Sequence, residues 1–124
     1  MISESELLAC VPAQLYIGGA WVDGTSGRRI RVDDPATGEE LASIADASPA
    51  DGMAALDAAV AAAASWAATP ARTRGELLRA AWELLIERAD EFALLMTLEM
   101  GKPLAEARGE VGYGAGFLRW FSEE

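Results

Sequence analysis

Alternating apolar and polar positions dominate the first third of the chain, and the pattern changes to a helical period at Ser48. Residues 14–22 place β-branched and aromatic side chains around Gly18-Gly19, a pair that accepts positive φ in a tight turn. Two further short alternating runs flank the turn segment DPATG at residues 34–38. The pattern predicts two or three short antiparallel strands within residues 15–47.

Three or four helices are predicted after the strands. Ser48-Pro49 begins the first one, because serine is a good N-cap and proline suits the first helical position. Pro70 ends it. Its apolar residues recur every three or four positions on one face, and they are Met53, Leu56, Val60, Ala63 and Ala67.

The next two helices are predicted from their end signals. The capping-box pattern at residues 73–76 predicts the start of the second helix. Asp90 is expected to cap a further helical run through Met100, which Gly101 stops. These assignments divide the chain into a flexible N-terminus at residues 1–14, a strand region at residues 15–47 and a helical part at residues 48–124.

The last predicted helix, at residues 103–124, is apolar on two sides. One line of side chains comprises Leu104, Val111, Ala115 and Leu118, and the other comprises Tyr113, Phe117, Trp120 and Phe121. Gly109, Gly112, Gly114 and Gly116 lie between the two lines and would permit neighbouring helices to approach closely. Such a helix needs neighbours on both faces, and we expect one face to lack cover within this chain.

Composition removes several classes of function. Ten basic residues against twenty acidic ones give a net charge of −10, which argues against binding to a nucleic-acid backbone. The first residues lack the basic and apolar regions of a signal peptide, and the longest apolar run contains Asp57 and is too short to span a membrane. We therefore expect a cytoplasmic protein with no nucleic-acid and no membrane partner.

The chain has one cysteine and no histidine. An internal disulfide, a thiolate–imidazole metal site and catalysis by an imidazole base are therefore excluded. Cys10 has no base to activate it, so an inert thiol is favoured over a nucleophile.

The glycine-rich segment at residues 109–116 lacks the preceding strand of a dinucleotide fingerprint. Glu99, beside the helix stop, is a candidate oxygen ligand for a hard cation.

Three segments occur in a characteristic order: LYIGGAWV at residues 15–22, VDDPATGE at residues 32–39 and LEMGKPLAEARGEV at residues 98–111. Together they resemble the N-terminal part of the NAD(P)-dependent aldehyde dehydrogenases. The last segment and its continuation through Phe121 are most similar to the bacterial succinate-semialdehyde dehydrogenases.

The resemblance implies an α/β aldehyde-dehydrogenase-like fold, of which this chain forms the N-terminal part of an incomplete cofactor-binding domain. In the family, a cysteine thiolate attacks the aldehyde, hydride passes to NAD or NADP, and a glutamate-activated water releases the acid. The segments that carry these groups are not in this sequence. We therefore expect no catalytic or cofactor-binding residue here, and no turnover by the chain alone.

The resemblance also implies two minor site roles. In related enzymes the helix matching residues 109–121 lines the aldehyde entry tunnel. The residues that the resemblance implies for this wall are Tyr113, Phe117 and Trp120. For each of them, plain packing against another helix is an equal alternative. Some members bind a structural monovalent cation through backbone carbonyls at positions matching Val32 and Asp33 and a carboxylate matching Glu99.

A competing hypothesis of another class is a stand-alone helical module that docks on a full-length partner. A module should hide its last helix by self-association, whereas a fragment of an enzyme should be sticky and poorly folded. We expect the chain to associate with itself or to dock on the missing remainder of the fold. In the full-length relative the small-molecule partner is an aldehyde. The sequence does not distinguish NAD from NADP.

Overall fold

The computed structural model describes residues 2–124, and in it short strands lie between one N-terminal helix and a helical region. The elements in chain order are α1 (Glu4–Cys10), β1 (Leu15–Ile17), β2 (Ala20–Val22), β3 (Arg29–Asp33), β4 (Glu40–Ala45), α2 (Pro49–Ala68), α3 (Ala71–Glu87), α4 (Ala89–Met100) and α5 (Leu104–Glu123). None of the helices in this described part combines the length and the apolar character that crossing a bilayer requires.

The strands form two separate antiparallel pairs, β1–β2 and β3–β4. Gly18 and Gly19 have φ of 62° and 85° and close the first pair, so the predicted tight turn is confirmed. Residues 2–124 thus contain four strands rather than the two or three predicted. The difference arises because the two-residue turn leaves room for a three-residue strand on each side of it.

Helix α1 lies where the sequence predicts a flexible segment. The Oγ of Ser3 accepts a hydrogen bond from the Glu6 backbone N–H at 3.3 Å, and a Glu6 carboxylate oxygen accepts one from the Ser3 N–H at 2.9 Å. This reciprocal capping box satisfies two amides at the helix start. Leu7 is buried, and α1 packs against α4. The capping box and the packing together hold these residues in a helix.

Helix α2 begins as its sequence predicts, with Ser48 as N-cap and Pro49 in the first turn. Its predicted apolar face is not covered by other described residues, because α2 contacts the remainder mainly through β1. Met53, Leu56 and Val60 are each more than half exposed. The periodicity therefore predicted the helix correctly, but no residue among 2–124 covers its apolar face.

Two predicted helix starts are wrong. Residues 73–76 lie inside α3, which begins directly after Pro70, where the φ of −53° and ψ of 139° let the next residue enter a helix. Asp90 lies in the first turn of α4 rather than at its cap. Arg88 is both the C-cap of α3 and the N-cap of α4, so no linker separates the two helices. The predicted stop is correct, since Gly101 is left-handed with φ of 71°.

The small core lies where α5 packs against α3 and α4. Ala93, Ala107 and Val111 are its buried members, with partly buried side chains around them. A Cβ at Gly75 of α3 would lie 2.7 Å from the backbone carbonyl oxygen of Ser122 in α5. Gly75 is therefore the residue that permits close helix approach.

Candidate functional site

Helix α5 has one buried and one exposed apolar face. Val111 and Ala115 are buried on the side that faces α3 and α4. The aromatic side chains on the other side are between 50% and 73% exposed, namely Tyr113, Phe117, Trp120 and Phe121. The two-sided apolar character predicted from the sequence is confirmed. We call these four residues the aromatic face.

The aromatic face borders an open groove of about 500 Å³. The rings of Tyr113 and Phe117 meet edge-on, with centroids 5.1 Å apart and planes at 88°. Gly112 and Gly116 complete the lining of the groove. Because these two positions carry no side chain, the groove is open between the rings.

The glycines of α5 make no close helix contact within the part of the chain that the structure describes. In the described part of the chain, a Cβ added at any of these four glycines would meet no atom of another element within 4 Å. The four are Gly109, Gly112, Gly114 and Gly116. The close approach predicted for them therefore has no partner among residues 2–124, where the close helix contact is made at Gly75 of α3. Spacing alone could not distinguish a glycine at a helix contact from one beside a groove.

Contacts beside the aromatic face fix the orientation of α5. The Arg119 guanidinium lies 4.8 Å from the ring centroid of Trp82 in α3, a cation–π geometry, and it also pairs with Glu123. On the α4 side, Arg108 donates to a carboxylate oxygen of Asp90 at 2.7 Å. These contacts turn Arg108 and Arg119 toward α4 and α3, away from the aromatic face.

Carboxylates continue the exposed face beyond both ends of the aromatic residues. Glu106 and Glu110 precede Tyr113 at helical spacing, and Glu124 follows Trp120 and Phe121 by four and three positions. Glu106 and Glu124 are exposed, and Glu110 pairs with the ammonium of Lys102. Helix α5 ends at Glu123 and Glu124 lies beyond it, so the exposed face of α5 is acidic in its first half and aromatic in its second.

The structure brings together the three tunnel candidates that the resemblance implies. Tyr113, Phe117 and Trp120 all line the groove. Sequence reasoning assigned no site role to Phe121, which lines the same groove. The sequence pattern already places Phe121 on this face, four residues after Phe117.

The cation candidates are divided between β3 and the end of α4. The β3–β4 register shifts between Val32 and Asp33, and such an irregularity takes backbone groups out of the regular ladder. The Asp33 carboxylate pairs with Arg31, and Glu99 is exposed near the end of α4. Residues 2–124 contain no cluster of three or more ligand side chains suited to a metal ion.

One contact brings the two parts of that candidate site near each other. A Cβ at Gly101 would lie 3.2 Å from Cγ of Pro35, so the turn after β3 packs on the residue that ends α4. A site here would depend on backbone carbonyls together with Glu99.

Cys10 is an exposed free thiol at the end of α1.

Known proteins match nearly the whole chain. The family model described as the aldehyde dehydrogenase family matches residues 21–124. Glutarate-semialdehyde dehydrogenase from Pseudomonas aeruginosa is 48% identical over 111 residues, which are 90% of this chain and 23% of that protein. Succinate-semialdehyde dehydrogenase from Paenarthrobacter nicotinovorans is 66% identical over 84 residues, which are 68% of this chain and 19% of that protein.

A solved structure shares the fold. Betaine aldehyde dehydrogenase from Staphylococcus aureus in complex with NAD+ superposes with a TM-score of 0.93 at 27% identity. The superposition covers 97% of this chain and 24% of the larger one. The chain spans at most about a quarter of the length of each of these proteins.

Proposed function

Because the chain belongs to the aldehyde dehydrogenase family, we propose that it acts as the N-terminal part of an enzyme that oxidises an aldehyde to the acid with NAD+ or NADP+. The family resemblance and fold class predicted from the three sequence segments are thereby confirmed. The observation that carries the proposal is the construction of α5. One of its faces forms the core with α3 and α4, and the aromatic face is left for a further surface to cover.

Succinate semialdehyde is the proposed substrate of the whole enzyme. The proposal is supported by the 66% identity to the succinate-semialdehyde dehydrogenase of Paenarthrobacter nicotinovorans. The homologous glutarate-semialdehyde dehydrogenase makes the next longer semialdehyde the natural comparison substrate. NAD+ is supported by the structural likeness to an enzyme in complex with it, and NADP+ stays an alternative.

The chain alone is proposed to be inactive. Its one thiol, Cys10, is exposed, and the protein has no histidine to serve as its base. The strand pairs are antiparallel and short, whereas a dinucleotide site of the Rossmann type uses a parallel sheet with a glycine turn before a helix. The contribution of this chain is thus proposed to be structural support and one wall of the aldehyde path.

The wall role is proposed for Tyr113, Phe117 and Trp120. It is supported by their common exposure along one groove and by the two glycines that keep the groove open. The wall would be apolar, so it would contact the carbon chain of the aldehyde rather than hold its charge. Plain packing against another helix is the alternative role.

A structural monovalent cation at Val32, Asp33 and Glu99 is a second, smaller proposal. It is supported by the irregular backbone between Val32 and Asp33 and by the packing of Pro35 on Gly101. Because a bound cation stabilises the folded chain, the melting temperature should be higher in potassium or sodium chloride than in choline chloride at equal ionic strength. Glu99→Gln should remove the difference, and an equal response to all three salts would contradict the proposal.

A chimera tests the main proposal. This chain would replace the segment that it matches in the succinate-semialdehyde dehydrogenase of Paenarthrobacter nicotinovorans. We expect NAD(P)+-dependent oxidation of succinate semialdehyde, with kcat/KM within about tenfold of the parent enzyme because the imported helices supply support rather than reacting groups. The chain alone should give no turnover.

Two results would contradict the proposal. One is a chimera that keeps the parent's fold and assembly state but does not oxidise the aldehyde. The other is cofactor-dependent turnover by the purified chain alone. A chimera that prefers glutarate semialdehyde would support the role in an aldehyde dehydrogenase but contradict succinate semialdehyde as the substrate.

A further inference from the structure

The groove beside α5 has few polar side-chain groups. Among the described residues that line it, only Tyr113 and Trp120 carry a hydrogen-bond donor, the phenol hydroxyl and the indole N–H, and none is charged. Succinate semialdehyde, in contrast, has a carboxylate at the end opposite its aldehyde group. An enzyme selects it over a simple aldehyde only if some group binds that carboxylate more favourably than it binds a methyl group.

Tyr113 is the better placed of the two donors. It is 73% exposed, the largest fraction among the four residues of the aromatic face, so its hydroxyl is open to a ligand in the groove. The edge-on contact with Phe117, with ring centroids 5.1 Å apart, orients its ring. A donor that is already oriented loses less conformational freedom when it binds a ligand.

The local charge beside Tyr113 permits an anion to approach. Glu110 precedes Tyr113 by three positions on the same helix face, and its carboxylate pairs with the ammonium of Lys102. This pair has no net charge. Glu106 lies seven positions before Tyr113, which is about 10 Å along the helix axis, the distance over which 0.1 M salt screens exposed charges.

We propose that the Tyr113 hydroxyl donates a hydrogen bond to the carboxylate of the semialdehyde and thereby selects it over aldehydes that lack a carboxylate. The inference rests on the proposed function and adds the group that recognises the far end of the substrate. Because a hydroxyl has no charge, it binds the carboxylate without neutralising it, and the rings beside it still contact the carbon chain. Tyr113 is thus a specificity-determining residue.

Tyr113→Phe in the chimera described above tests this hydrogen bond, because phenylalanine keeps the ring and removes only the hydroxyl. The two substrates are succinate semialdehyde and butanal, in which a methyl group replaces the carboxylate. We expect KM for succinate semialdehyde to rise about tenfold, the effect of a lost hydrogen bond to a charged group. The contact is remote from the reacting carbon, so kcat should not change. KM for butanal should stay within about twofold, since its methyl group accepts no hydrogen bond.

The other tyrosine of the chain provides a matched control. Tyr16 lies in β1 with its ring against that of Trp21, at a centroid distance of 4.9 Å, and it does not line this groove. Tyr16→Phe removes the same hydroxyl and should change KM for neither aldehyde. Phe117→Ala, which removes part of the apolar wall, should instead raise KM for both aldehydes. Melting temperatures measure whether each variant is folded.

Three results would overturn the proposal. The first is an unchanged KM for succinate semialdehyde in Tyr113→Phe. The second is an equal rise of KM for both aldehydes, which would mean that the hydroxyl does not recognise the carboxylate. The third is the same effect from Tyr16→Phe. A folded chimera without substitutions that oxidises neither aldehyde would contradict the proposed function itself, and the hydrogen bond to the substrate would fall with it.

Discussion

The carboxylate of Asp51 accepts hydrogen bonds from two segments that are distant in sequence. It accepts from the Ser48 backbone N–H at 2.7 Å, within its own helix cap, and from the Thr25 N–H at 3.1 Å in the loop between β2 and β3. The residue is 4% exposed. Hydrogen bonds from Ser48 lower the pKa of Asp51, and burial raises it by less. One side chain thus joins the strand region to the start of α2.

The lowered pKa of Asp51 predicts a pH dependence of stability. Because the folded state favours the carboxylate, its contribution is present above the unfolded pKa of about 3.9 and is lost as the pH falls through the folded value. Asp51→Asn should lower the urea midpoint at pH 7 and flatten its decline below about pH 4. Asp57→Asn, on an exposed position of the same helix, is the control. Equal acid sensitivity of the wild type and Asp51→Asn would contradict this account.

At the scale of single elements, the contact between α3 and α5 depends on one missing side chain. Gly75 meets the Ser122 carbonyl, and a methyl group there has no room. On α5 itself, Gly109 has open space around it. The same substitution should therefore have opposite effects at the two sites.

Gly75→Ala should destabilise the protein, because overpacking against backbone costs about 1–3 kcal/mol, more than the helix propensity gained. Gly109→Ala should stabilise it by about 1 kcal/mol, since alanine is the better helix former and nothing obstructs its methyl group. Both are measured by urea unfolding. Stabilisation by Gly75→Ala would show that α3 and α5 move apart without cost.

The aromatic face gives a second prediction for α5, tested in the chimera. If Phe117 contacts the aldehyde, Phe117→Ala should raise KM for succinate semialdehyde about five- to 150-fold, the equivalent of the roughly 1–3 kcal/mol of a lost apolar contact, with little change in the melting temperature. Leu118→Ala, on the buried line of the same helix, should lower the melting temperature and leave KM unchanged. A melting temperature lowered by Phe117→Ala at constant KM would support the packing role instead.

Local signals predicted most elements, and the failures have physical causes. Ser48, Pro49 and Gly101 act within one helical turn, so their roles could be read from the sequence. The start of α3 was misplaced because Pro70 permits a helix directly after it, which makes the later capping pattern redundant. The capping box of Ser3 and Glu6 is an equally local signal that was overlooked.

The site depended on information that is not local. Periodicity placed Tyr113, Phe117 and Trp120 on one face, and the structure agrees. The crossing of α3 and α5, however, determines which glycine lies at a helix contact. The sequence pattern of neither helix predicts that crossing. The same reason explains why Pro35 and Gly101 meet without any sequence signal.

At the scale of the whole molecule, apolar surface and negative charge are both left exposed. The apolar residues of α2 and the aromatic face of α5 lack cover within residues 2–124, while the chain carries ten more acids than bases. Apolar area favours association and like charge opposes it. The balance between them should depend on salt.

We therefore expect the 124-residue chain to bind hydrophobic dyes and to associate more strongly as salt rises. Added salt shortens the screening length from about 10 Å at 0.1 M to about 3 Å at 1 M, which weakens the repulsion and leaves the apolar attraction. Sedimentation at several salt concentrations measures this. Replacing Phe117 and Trp120 together with serine should reduce both effects while α2 stays helical. A dye-negative, monomeric chain with a cooperative melt at every salt concentration would contradict this expectation.

The division of the strands into two pairs has a consequence for edges. Every strand of a two-stranded sheet has one side whose backbone donors and acceptors face away from its partner, where another strand could add. Arg29, Arg31 and Glu40 place charges along β3 and β4, and such charges discourage a third strand. The segments LYI and AWV of β1 and β2 carry no charge, and their edges are limited only by a length of three residues each.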